Sequence, residues 1–274
     1  MESTPARLAF AAELARPEGI DLPRAALTLG LIERPDLDLA GAAARLDRLA
    51  REVGATLPRG LAPDGAAAAL GDALGRERGF HGDAADYDDP RNCFVHTTLA
   101  RRQGMPIALT MIYIAVGRQC GYAMDGVGLP WHFVARLGDE QAGYAYLDPF
   151  AGGRVVGRDE LAGFLQRNGL DPAGRLDLYL AAVTPRQTLT RMLLNIKRVY
   201  LERHDERRAR QAVDLLLAIS PWSAEELRDR GLLSARLDDL PSAREDLALY
   251  LQRAPEADDA ARVAALLRTL DAPS

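Results

Sequence analysis

The chain of 274 residues is 48% hydrophobic and 27% charged, which excludes a mainly disordered polymer. Its length is enough to bury a core without disulfide staples. A net charge of −5 with a pI near 5.5 argues against a general nucleic-acid binder, and 6% aromatics among abundant Ala, Leu and Arg favour helices.

Acids and bases balance from Pro185 onward, so the acidic excess lies before it and leaves no single-sign tail. Two cysteines, Cys93 and Cys120, are too few for a disulfide framework and suit a reducing compartment. The first residues carry acids early and no apolar stretch of signal-peptide length. No run approaches the roughly 20 apolar residues of a membrane span. A cytoplasmic protein with no membrane and no nucleic-acid partner is expected.

Residues 6–15, 22–32, 39–53 and 64–78 read as alanine-rich amphipathic helices. Pro17-Glu18-Gly19, Pro35-Asp36 and Pro58-Arg59-Gly60 interrupt them. Residues 79–92 form a polar loop, followed by helical segments at 92–102 and 106–120. The second has Leu109, Ile112, Val116 and Cys120 on one stripe and Gly121 at a left-handed cap. Residues 123–129, 131–137 and 144–147 are short, β-branched or aromatic, as strands are, with a hairpin loop at 138–143. Helices first and strands after, without βαβ alternation, is an α+β order.

From Pro185 the chain is helical again and carries a repeat. Ala209 and Pro221 recur as Ala243 and Pro255 at a spacing of 34, the helix–turn–helix period of tetratricopeptide units. Gly231 and Tyr200 fall on further landmarks, Ser234 replaces the second Tyr, and the signature Trp is missing from both copies. The expected domains are therefore 1–184, a helical N-terminal region with an α+β core, and 185–274, an all-α repeat module.

Three residues in the middle of the chain have the types that thiol chemistry needs: Cys93, His132 and Asp148. A thiolate attacks a carbonyl, an imidazole moves the proton, and a carboxylate fixes the imidazole tautomer. A hairpin turning about Glu140 opposes His132 to Asp148 on one face. Cys93 follows Asn92, a good N-cap, and is read in a first helical turn where the macrodipole favours a thiolate. The plainer alternative makes Cys93 a small buried hydrophobe. Cys120, on the apolar stripe, is expected in the core. The acids Asp83, Asp86, Asp88 and Asp89 lack the spacing of a calcium loop and read as turn caps. Cys and His never occur in paired spacing, and no Gly-rich loop carries a lysine, so no metal and no cofactor is expected.

The runs Asp89-Pro90-Arg91-Asn92 and Arg102-Gln103-Gly104-Met105-Pro106-Ile107-Ala108-Leu109 resemble the SirB-type bacterial proteins of the transglutaminase-like superfamily. So do Gly126-Val127-Gly128-Leu129-Pro130 with His132-Phe133, and Leu147-Asp148-Pro149-Phe150 with Gly152-Gly153. The resemblance implies a papain-like α+β core, with a helix on a small antiparallel sheet, followed by tetratricopeptide-like helices. It matches His132 and Asp148 to the superfamily's catalytic His and Asp. It places the nucleophile at the start of the core helix, where this chain has Met105 and Pro106, while Cys93 lies upstream. A non-catalytic protein is therefore expected, binding a protein or peptide through the repeats or the His132 cleft, with a role in bacterial regulation implied by the resemblance. The alternatives are a cysteine-dependent amidase, peptidase or acyl transferase using Cys93, His132 and Asp148, and acid–base chemistry by the His132–Asp148 pair alone.

Overall fold

The computed structural model describes residues 4–271. Its first elements are α1 (Pro5–Leu14), α2 (Leu22–Thr28), α3 (Gly30–Glu33), α4 (Leu39–Thr56) and α5 (Pro63–Gly71). Then come β1 (His81–Gly82), α6 (Val95–Arg101), β2 (Gln103–Gly104) and α7 (Pro106–Gln119). The strands β3 (Met124–Leu129), β4 (His132–Asp139), β5 (Gly143–Asp148) and β6 (Arg154–Val156) follow, then α8 (Arg158–Arg167) and α9 (Leu176–Tyr179). The chain ends in α10 (Pro185–Glu202), α11 (Glu206–Ile219), α12 (Ala224–Arg236), α13 (Leu240–Arg253) and α14 (Ala260–Asp271).

Two compact units emerge. One comprises Met1–Gly19, Leu31–Pro35 and Leu193–Ser274, the other Ile20–Gly30 and Asp36–Met192. The boundary read at 184/185 is where α10 begins, whereas the units part inside that helix. The first helix also belongs with the C-terminal helices: α1 packs on α11 and buries Phe10 completely.

In the larger unit β3, β4, β5 and β6 form one antiparallel sheet in sequence order. The core helix α7 packs on β3 and β4, and α5 on β4, β5 and β6. On one face Val127, Leu129, Val134 and Tyr146 share a cluster with Leu161 and Leu165 of α8. The three expected strands are present with ends shifted by a residue or two. A fourth, β6, and the short parallel pair β1–β2 escaped the hydrophobic pattern because they are two or three residues long. The expected helix 92–102 is instead a 3-10 turn at Pro90–Cys93 followed by α6.

The helix expected over 64–78 also divides: α5 ends at Gly71 and a wider π turn follows at Asp72–Arg76. Glycine explains how this segment reaches the sheet. A Cβ at Gly71 would lie 2.0 Å from the Gly153 carbonyl oxygen, and one at Gly75 would lie 1.7 Å from that of Gly152. Backbone meets backbone there, so no side chain can turn aside. Gly152 and Gly153 themselves have φ of +70° and +77°, the left-handed region that glycine enters without strain.

In the helical unit α11 through α14 pack in sequence as antiparallel neighbours. The small residues of the 34-residue spacing sit at crossings: Ala209 and Ala243 are fully buried, and a Cβ on Gly231 would meet Leu247 at 2.7 Å. The sole lysine, Lys197, is buried between Glu226 at 2.8 Å and Asp229 at 2.5 Å. Among the described residues no helix is long and apolar enough to cross a membrane.

The glycine contacts yield a paired test. Gly75→Ala should lower stability by about 2–3 kcal/mol or more, because a rigid backbone has to shift. Gly65→Ala, in the exposed first turns of α5 with its nearest neighbour at 3.7 Å, should raise stability by about 0.5–1 kcal/mol. Urea unfolding of both variants decides this, and equal effects would contradict the close-approach account.

Candidate functional site

The site is built where the N-terminal end of α7 and the ends of β4 and β5 are held by short-range hydrogen bonds. Asp89 caps the 3-10 turn by accepting from the Arg91 backbone N–H at 2.9 Å, and its carboxylate also pairs with the Arg91 guanidinium. Asn92, fully buried, donates from its side chain to the Asp86 carbonyl at 2.7 Å and accepts from Arg101 Nη1 at 2.9 Å. Arg101 Nη2 donates to Asp83 at 3.0 Å, and the Met105 N–H donates to the Asn92 carbonyl at 2.9 Å. The loop and the beginning of α7 are thereby tied together. The acidic loop is used for caps and ion pairs, and among the described residues no group of three His, Cys, Asp or Glu side chains is placed to hold a metal.

Cys93 is the last residue of the 3-10 turn, not the first of an α-helix, and Asn92 is occupied inside the loop rather than capping. The expected macrodipole support for a thiolate is therefore missing. The Cys93 side chain is 2% exposed, with its sulfur 3.6 Å from Met105 Sδ. Met105, buried too, stands just before Pro106 at the start of α7. Cys120 corrects a second expectation: it is half-buried at the end of α7, 4.0 Å from the Ala50 carbonyl, and burial pushes its thiol pKa up.

His132 opens β4 and Asp148 closes β5. Their side chains meet, with His132 Nε2 2.9 Å from Asp148 Oδ2 and both 15% exposed. The register differs from expectation by two residues. Ala135 pairs with Leu147, so Asp148 stands across from Val134 and is a diagonal neighbour of His132. An even offset keeps both on the same face. The other carboxylate oxygen accepts the backbone N–H groups of Phe150 at 3.0 Å and Ala151 at 3.1 Å. Burial alone would raise the Asp148 pKa, but the hydrogen bond and charge of His132, with those two N–H groups, hold it below the ordinary value.

Several surrounding residues gave no sequence signal. The His132 ring lies 6.3 Å from Phe150, edge-on, and 5.6 Å from Phe164. Trp131, in the two-residue turn between β3 and β4, is 67% exposed and has a φ of +60°, a conformation bulky residues rarely take. Tyr113 on α7 is fully buried with its hydroxyl against Gly153 and without a hydrogen-bond partner among the described residues. Burial, then the Asp148 charge, pushes its pKa far up. Arg191 on α10 donates from Nη2 to the His132 carbonyl at 2.9 Å. Of these, Phe150 falls in the Leu147-Asp148-Pro149-Phe150 run and Trp131 follows Pro130, a turn cue, while Phe164, Tyr113 and Arg191 carried none.

Helix on antiparallel sheet, with a His–Asp pair at the strand ends, is the arrangement expected of a transglutaminase-like core. The chain belongs to the transglutaminase-like superfamily, whose sequence profile matches residues 40–194, and a tetratricopeptide repeat profile matches residues 196–268. Bacterial relatives place it in the SirB-type group. A UPF0162 protein of Xylella fastidiosa is 37% identical over 191 residues, covering 69% of this chain and 68% of that protein. A UPF0162 protein of Vibrio cholerae is 27% identical over 238 residues, covering 87% and 88%. Human F-box only protein 21 is 30% identical over 169 residues, 58% of this chain but only 25% of its own length.

The carboxylates of the site set a pH dependence. Asp83 and Asp89, like Asp148, have pKa values below their unfolded ones. For Asp83, burial opposes the shift but the Asp86 N–H, Asn92 and Arg101 outweigh it, and for Asp89 the Arg91 hydrogen bond leads. The stabilisation each contributes is complete above the unfolded carboxylate range near about 4 and is lost as pH falls through the lower folded values. Urea unfolding should show stability falling between about pH 5 and pH 3. Asp148→Asn should remove part of that slope and cost about 1–3 kcal/mol at neutral pH. An unchanged slope would mean that the pair contributes nothing to the pH dependence.

Proposed function

We propose that this protein is a non-catalytic transglutaminase-like protein that binds a protein or peptide partner, through its tetratricopeptide-like helices or the His132 cleft. The observation that carries this reading is the start of α7. By the resemblance Met105 and Pro106 stand where the superfamily nucleophile is expected; both are buried, and the nearby Cys93 sulfur is covered by the Met105 thioether. Losing a nucleophile removes most of the rate, while binding in the same cleft survives. The repeat match supports a protein-interaction role, since stacked helix pairs present extended surfaces. A regulatory role in a bacterial cytoplasm follows from the resemblance and agrees with two cysteines outside any disulfide.

The intact His132–Asp148 hydrogen bond favours a second reading, a cysteine-dependent amidase, peptidase or acyl transferase in which Cys93 is the nucleophile. That reading requires the Cys93 thiol to reach solvent and the imidazole and to ionise readily.

Alkylation separates the two. With Cys120→Ser in the background, iodoacetamide should label Cys93 in the native protein at least about a hundredfold more slowly than in the unfolded chain, because opening of the core limits the reaction. Rapid labelling near neutral pH, absent in Cys93→Ser and slowed by His132→Ala, would overturn the non-catalytic reading.

A further inference from the structure

Arg191 is a guanidinium taken partly out of water with no acid to meet it. It lies on the first half of α10, and its Nη2 donates to the His132 backbone carbonyl at 2.9 Å. Its guanidinium carbon sits 5.4 Å from the centre of the Phe133 ring. No aspartate or glutamate among the described residues pairs with it, although most arginines in the larger unit that are similarly enclosed have one, as Arg101 has Asp83 and Arg136 has Asp125. Burial holds its pKa below the ordinary arginine value, with Tyr87 opposing. A carbonyl and a ring face offset part of the cost of desolvating a cation; a carboxylate would offset far more.

The guanidinium has donors left for one. A guanidinium carries five N–H donors, and the His132 carbonyl takes one. Arg191 is half-buried, and none of its nitrogens is among the fully buried, unsatisfied side-chain atoms of the described residues. The Nη1 side lies against β3, where a Cβ on Gly128 would meet Nη1 at 3.3 Å and Val183 at 3.1 Å, so only a glycine lets the guanidinium sit this close to the strand. Phe133 and His132 are successive residues of β4 and point to opposite faces, so the guanidinium lies across the strand from the imidazole. Tyr87 acts on the Arg191 charge from further off. It is 39% exposed, and its ring packs edge-on to Phe150, which in turn packs edge-on to His132.

We infer that Arg191 forms a carboxylate-binding site at the β3–β4 hairpin end, receiving a planar monoanion from the acidic side chain or the free C-terminus of a peptide. Charge selects the class. A single guanidinium with no second cation beside it matches one negative charge, and its fork matches the two oxygens of a carboxylate. A phosphate dianion would bring a charge that nothing here balances. The site needs no thiol chemistry, so it stands whichever reading of Cys93 holds.

The test is nuclear magnetic resonance of the full chain labelled with ¹⁵N-arginine, following the Arg191 Nε–H signal, which is assigned from its loss in Arg191→Lys. Three peptides serve as probes: acetyl-Ala-Glu-Ala-amide for a side-chain acid, acetyl-Ala-Ala-Ala with a free C-terminus, and acetyl-Ala-Gln-Ala-amide as the neutral control. Sodium chloride at equal ionic strength controls for screening, and inorganic phosphate for the dianion. At least one acidic peptide should shift the signal saturably and bind about tenfold or more tighter than the neutral one. Which acid binds tighter tells side chain from C-terminus. Read through backbone amide shifts around Gly128 in uniformly ¹⁵N-labelled chains, Arg191→Lys should weaken that binding about tenfold and Arg191→Gln should abolish it. Arg191→Lys keeps the charge, so its result stands even if Arg191→Gln does not fold. Equal responses to neutral and acidic peptides, a response reproduced by sodium chloride, or tighter binding of phosphate than of either acid would overturn the assignment.

Discussion

The start of α7, and with it the cover over Cys93, rests on one buried side-chain amide. Asn92 has no exposure to water, and an unsatisfied amide there would be costly. Its NH₂ is spent on the Asp86 carbonyl and on Asp83, its oxygen on Arg101, and its backbone carbonyl on the Met105 N–H. Asp83 and Arg101 lie 18 residues apart in sequence and are joined at 3.0 Å, so the loop is closed as well as capped. Cys93 follows Asn92 directly and is carried inward with it. The clamp thus decides both where the core helix begins and why the thiol is covered.

That clamp also shows where reading the sequence succeeds and where it stops. Breakers and hydrophobic stripes located α7, the strands and the Gly121 cap, because each depends on residues close in the chain. The acidic loop was legible as a set of turn caps for the same reason. Its pairing with Arg101 was not, since nothing local links residues 83 and 101. The Cys93 environment failed on a finer point: Asn92 is a good N-cap in isolation, but its side chain was already claimed by the loop behind it. The His132–Asp148 contact was legible through parity alone. Period-two alternation puts residues of equal parity on one face, and a two-residue register error is invisible to that rule. Arg191 and Tyr113 gave no signal, because an arginine or tyrosine within a helix reads as an ordinary face residue until the sheet behind it is known.

In the helical unit the 34-residue spacing correctly marked the small residues where helices cross, yet said nothing about the charges between them. Lys197 with Glu226 and Asp229, and Arg230 with Asp214 and Asp246, are largely buried. Burial raises the pKa of Glu226 and Asp214, and for Lys197 the two neighbouring acids overcome a burial effect of the opposite direction. Such pairs add little net stability over a well-packed apolar replacement. What they impose is register, because a helix displaced by one turn would strand a buried charge without its partner. The repeat period therefore fixes spacing, and the ion pairs fix which spacing is used.

The His132–Asp148 pair has a structural role that does not involve catalysis. Asp148 terminates β5 and accepts two backbone N–H groups of the turn that leads through Gly152 and Gly153 into β6. Those glycines are the ones on which Gly71 and Gly75 close, so the carboxylate supports the turn that seats α5 and the π turn against the sheet. His132 satisfies the remaining side of that carboxylate while Phe150 and Phe164 pack on its ring. Removing the imidazole would leave a largely buried carboxylate without its partner, an expensive change for the fold whether or not any reaction occurs. The start of α7 answers to different needs, for Pro106 meets those of a helix's first turn and Met105 fills the core. The His–Asp pair and the helix start are thus held by different forces, and of the two only the pair carries the turn on which α5 is seated.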